Sequence, residues 1–124
     1  MVVRITSMVL RVCALLAVIL GIIFWTGTEP DALVNVHMLL GILVVLSLWT
    51  LGILQALGKG GNWGLAAGAI ILGLIVAGFG MTQRSIPPLD PTGHQIIKVI
   101  HLLLGLSAAG LGEMLAGRYK RLNA

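Results

Sequence analysis

Residues 32–57 read ALVNVHMLLGILVVLSLWTLGILQAL, a run without a single Lys, Arg, Asp or Glu. An α-helix needs about 20 predominantly apolar residues to cross the hydrocarbon core of a bilayer. This run is long enough, and three others join it, at roughly 8–27, 63–82 and 95–117. Composition says the same of the whole chain. Of its 124 residues 58% are hydrophobic and 10% are charged, whereas soluble domains carry charge on roughly a quarter of their residues. There is too little polar surface to face water, so the bilayer is the expected solvent. Inside it a spanning backbone must satisfy its own hydrogen bonds, which favours helices. The fold expected is an all-α integral membrane four-helix bundle, one domain over residues 1–124.

Turn chemistry separates the four runs. Thr28-Glu29-Pro30-Asp31 supplies an N-cap and an early Pro for the second helix. Lys59-Gly60-Gly61-Asn62 forms a turn, with Asn62 as the N-cap of the third. Thr92-Gly93-His94-Gln95 has the form of a capping box for the fourth, and Pro87, Pro88 and Pro91 keep the preceding loop non-helical.

The net charge is +4, but the basic residues sit at the ends of apolar runs and form no face with interleaved aromatics. Nucleic acid is therefore not an expected partner. Arg4, Arg11, Lys59, Arg118, Lys120 and Arg121 fall on one side of the bilayer. Glu29, Asp31 and Asp90, with only Arg84 and Lys98 as cations, fall on the other. The positive-inside rule then puts both termini in the cytoplasm of a bacterial-type membrane. The N-terminal run follows basic residues as a signal peptide does. No small-x-small cleavage site ends it, so it reads as a retained first helix. Cys13 is the one cysteine; it allows no internal disulfide and reads as a small apolar residue. No CxxCH is present, which excludes covalent c-type haem.

The chain echoes itself. AVILGII at 17–23 matches AIILGLI at 69–75, and VHMLLGI at 36–42 matches IHLLLGL at 100–106. The first helix is thus paired with the third and the second with the fourth, as two repeated helical hairpins about an axis along the membrane normal. The repeat carries His37 and His101, each about 5 to 6 residues, or some 8–9 Å, below the outer end of its helix. Neutral imidazole is a good ligand for iron, and a buried imidazole in hydrocarbon needs a partner. Two at equal depth on facing helices suit a b-type haem with two axial histidines. Gly41 and Gly105 follow the histidines by four residues, on the same helical faces, where a missing side chain admits a flat macrocycle. Gly21 and Gly73, the matching glycines of the first and third helices, are expected to admit its edges. Ala108 and Gly112 continue a small-residue face that lets the helices close beneath it.

This pattern resembles the membrane b-type cytochromes, and most of all the four-helix haem-binding core of the respiratory cytochrome b subunit. The resemblance implies ligands on the second and fourth helices, His37 and His101, and clearance from Gly21 and Gly73. It also implies a second histidine some four turns deeper on each ligand helix. Here those positions hold Thr50 and Leu51, and Met114 and Leu115, so one non-covalent haem b is expected.

His94 reads as a solvated loop histidine, with pairing to a haem propionate as the alternative. Lys98 and Arg84 are divided between propionate partners and interfacial snorkelling. Glu113 lies a turn from the cytoplasmic end, beside Arg118 and Lys120, and is expected to snorkel rather than transfer protons. Trp25 and Trp63 suit the interface, and Trp49 is expected to face lipid or packing partners. No nucleophile, acid–base pair or phosphate loop is visible, so a stand-alone enzyme is not the first reading. The reading is electron transfer near the outer membrane face, with a membrane quinone or an outer-side redox protein as partner and a homo-oligomer left open. Haem storage, sensing or transfer is the alternative, followed by a cofactor-free transporter or assembly partner.

Overall fold

The computed structural model describes residues 1–85 and 90–124, and of Arg84 the backbone only. Among them are four helices: α1 (Val2–Trp25), α2 (Asp31–Leu57), α3 (Trp63–Thr82) and α4 (Pro91–Leu122). A 3-10 turn, Gln83–Ser85, follows α3. Each of the four is long and apolar enough to span a membrane.

The helix ends show what local chemistry decides. Asn62 caps α3 as expected, its side chain accepting from the Leu65 N–H at 3.1 Å. Pro30 occupies the cap position of α2 with no side-chain bond, so Thr28 is not its cap. The acidic Asp31 follows in the first turn, where the helix dipole favours it. α4 departs further. Asp90, not Thr92, is its N-cap, accepting from the Gly93 N–H at 3.1 Å. Pro91 stands at the first helical position, where its fixed φ is pre-set for a helix and its missing N–H costs nothing. The helix therefore starts four residues before the expected Gln95, and Pro91 opens it instead of holding the chain non-helical. Pro87 and Pro88 lie outside the described residues. α1 begins at Val2, well before residue 8, because Val3, Ser7, Leu10 and Cys13 recur on one helical face and are buried. It ends at Trp25, two residues short of the expected 27, where Gly27 takes φ +89° and turns the chain.

α2 packs against all three other helices, and α4 packs against α1 and α3 as well. α2 and α4 thus face each other across the bundle, with α1 and α3 at the flanks. Small residues permit the close approaches: Gly52 of α2 lies against Ala66 and Ala69 of α3, and Gly112 of α4 lies against the Leu10 side chain. Ala108 and Gly112 are both buried, as the small-residue face requires. Outward, Leu15, Leu39, Ile71 and Leu103 are each more than half exposed, an apolar surface that suits lipid and not water.

Burial is unevenly distributed along the bundle. The buried residues of α1 end at Cys13 and those of α2 begin at Val44; those of α3 end at Val76 and those of α4 begin at Ala108. In α1, α2 and α4 the buried residues lie from the middle of the helix toward the end of the bundle that holds both chain termini (the terminus end), whereas in the shorter α3 burial runs past the midpoint through Gly73 to Val76. Beyond these levels, toward the opposite ends of the helices, no described residue is buried. Those segments form the histidine end.

Candidate haem site

His37 is six residues into α2 and His101 ten residues into α4, counting from Asp31 and Pro91. The four extra residues are the turn by which α4 starts early, so the histidines meet although their distances from the helix starts differ. Their ring centroids are 6.1 Å apart, with the planes tilted by 59°. Each stands seven residues beyond the packed floor of its own helix, His37 before Val44 and His101 before Ala108. Seven residues are two turns, or about 10 Å of axial rise.

Each ring is held from behind by a neighbour helix. Phe24 of α1 meets His37 edge-on at a centroid distance of 5.4 Å. Phe79 of α3 stacks on His101 at 6.1 Å, nearly parallel at 11°. These are the only two phenylalanines of the chain. A glycine accompanies each: a Cβ on Gly21 would stand 3.8 Å from His37 Cε1, and one on Gly80 only 3.2 Å from His101 Cε1. Each imidazole is thus seated between an aromatic ring and a bare stretch of backbone.

Gly41 and Gly105 open differently. A Cβ at either would meet nothing within 4 Å, although neither residue is fully exposed. The faces one turn below the histidines are therefore clear of protein atoms. Gly73 does not join them. The indole of Trp49 lies directly over it, with Nε1 as the nearest atom. The glycine that α3 presents to a histidine is Gly80, seven residues further toward the histidine end. Sequence reading missed Gly80, Phe24 and Phe79. The available signal was depth: Gly21 and Gly80 both fall in the last turn or so of α1 and α3, level with the histidines, and Gly73 does not.

The Nδ1 atoms of His37 and His101 are buried with no hydrogen-bond partner. A buried polar group left unpaired costs about 1–3 kcal/mol, so such atoms require a reason. A bare metal ion is a poor one. Structural and catalytic zinc draw three or four ligands from protein, and no group of three His, Cys, Asp or Glu comes together among the described residues. Porphyrin iron differs, because the macrocycle fills four positions and leaves two axial ones for protein. Metal–imidazole bonds of about 2 Å on either side of one ion bring the two ring centroids to roughly 6 Å, the separation found here. In donor type and ring separation the two histidines fit a bis-histidine haem.

The rim carries the other expected residues. Lys98 is four-fifths buried and paired with Glu29 at 3.7 Å, so it is already engaged. His94 is exposed in the first turn of α4, as a solvated histidine would be. The Arg84 backbone lies in the 3-10 turn after α3, and its side chain is outside the described residues. Trp25 Nε1 donates to Gln95 Oε1 at 2.5 Å, tying the end of α1 to the start of α4. Glu113 is elsewhere, toward the terminus end, and its hydrogen-bonded partner is neither Arg118 nor Lys120, although Lys120 is near enough to act on its charge. It takes two 2.7 Å hydrogen bonds from Arg11 of α1.

No family model, curated protein or solved structure matches the chain.

Proposed function

We propose that this chain is a membrane haem b protein that transfers electrons near the outer face of a bacterial-type cytoplasmic membrane, with both termini inside. The observation that carries the reading is the facing pair of imidazoles, each two turns beyond the packed floor of its own helix. His37 and His101 would hold the haem through their imidazoles. Phe24 and Phe79 fix the ring orientations, and Gly21 and Gly80 let the rings sit back against α1 and α3. Gly41 and Gly105 leave the macrocycle its space. Haem supplies a one-electron couple, and two histidine ligands leave no open position for oxygen, so the chemistry is outer-sphere transfer. Haem carboxylates would draw on the cations of this end, with Lys98 and His94 at the rim. A membrane quinone or an outer-side redox protein is the electron partner. The cationic terminus end supports the orientation.

The test is the optical spectrum of the purified protein supplied with haem. We expect sharp reduced bands of a low-spin bis-histidine centre in the wild type and in His94→Ala. They should be lost in His37→Ala and in His101→Ala. Gly41→Leu and Gly105→Leu should keep full helix content by circular dichroism and still bind at least tenfold less haem, roughly the effect of about 1.4 kcal/mol. A wild-type preparation that stays colourless in excess haem overturns the reading, and so do bands that survive loss of either ligand.

A further inference from the structure

The opposite end of the bundle holds a second feature, independent of the histidines. Between α1 and α4 lies a cavity of about 370 Å³ lined by Arg4, Ile5, Ser7, Met8, Arg11 and Lys120. Half of its lining residues are cationic. Arg4 lies two residues into α1, from Val2, and Lys120 two residues from the end of α4 at Leu122, so both stand at the rim. Arg11 and Glu113 are each seven residues further in, about 10 Å deeper along the helices. Between the two levels the wall is apolar, with Ile5 52% and Met8 60% exposed.

The Arg11–Glu113 pair is bidentate, and its side chains are 61% and 37% exposed. It neutralises itself at the deeper level. Arg4 and Lys120 are then left as the net charge of the groove, at the height of a bilayer headgroup region. Charge at the rim with an apolar wall below matches the upper part of a phospholipid: a phosphate, then the start of an acyl chain beside Ile5 and Met8. Free phosphate would use the rim alone and leave the apolar wall unused.

We propose that this groove binds an anionic phospholipid of the inner leaflet, its phosphate held by Arg4 and Lys120 and one acyl chain laid along Ile5 and Met8. Basic residues near an anionic surface each contribute roughly a fivefold gain in binding. Two of them together give a preference of more than about tenfold over a zwitterionic lipid.

The test is native mass spectrometry of the full chain in detergent, titrated with phosphatidylglycerol, phosphatidylcholine or inorganic phosphate. A single phosphatidylglycerol adduct should form at least about ten times more tightly than a phosphatidylcholine one. Arg4→Gln with Lys120→Gln should bring the two lipids level. Arg4→Lys with Lys120→Arg, which keeps both charges, should retain the preference and so separate loss of charge from loss of fold. Arg121→Gln, outside the groove, should leave it unaltered. Equal binding of both lipids by the wild type overturns the proposal, as does a preference that survives the double Gln variant. Displacement of phosphatidylglycerol by millimolar inorganic phosphate also overturns it, by assigning the rim to a free anion.

Discussion

Each histidine is seated by a phenylalanine and a glycine from the helix beside it, but the two seats differ in tightness. A methyl group on Gly21 would make ordinary contact with His37, and one on Gly80 would press on His101 at 3.2 Å. Gly21→Ala should therefore leave the haem spectrum and affinity unchanged. Gly80→Ala should push His101 by a few tenths of an ångström and lower haem affinity several-fold, because ligand geometry tolerates little misplacement. Titration of the two apoproteins with haem checks this, and equal behaviour would refute the seating described. The histidines were legible in sequence, since ionisable rings inside apolar runs stand out and demand a partner. Phe24 and Phe79 were not, because an aromatic residue in such a run is most simply packing.

Helix by helix, the core rests on close approaches that small residues allow. Gly112 takes the Leu10 side chain against its backbone, where any Cβ would collide. Gly112→Leu should cost about 1–3 kcal/mol by overpacking, read as an earlier transition on chemical unfolding in detergent. Gly110→Leu, with nothing near its Cβ position, should be neutral and serves as the control. The repeat of AVILGII and AIILGLI pairs Gly21 with Gly73, yet α3 offers Gly80 to His101 and covers Gly73 with Trp49. Matching letters align residues in register. They do not report how far one helix slides along its neighbour, and a slide of seven residues moves a position by about 10 Å. The ion pair of Glu113 was likewise hidden, since Arg11 is 102 positions away in the chain and both could have snorkelled to nearer partners.

At the level of the whole molecule, one half is closed and the other open. Buried residues stop at Cys13, Val44, Val76 and Ala108, and beyond that level the histidines and their neighbours are only partly buried. Local stability follows local packing. Amide hydrogen exchange of the haem-free protein should be faster in residues 14–25 and 91–107 than in residues 2–13 and 108–122. Haem should slow the first set at least tenfold and leave the second nearly unchanged. Uniform protection along the helices without haem would count against the open half, and no effect of haem would count against the ligand. The number of helices, their approximate spans and the histidine pair were all readable from the order of residues. Those features depend on local hydrophobicity, which a window of about 20 residues contains in full. The starts of α1 and α4, the partner of Glu113, the glycine facing His101 and the level at which packing ends came only with the folded bundle. Each depends on how far helices slide and turn against one another, and side-chain contacts between distant segments set that balance, which no local window records.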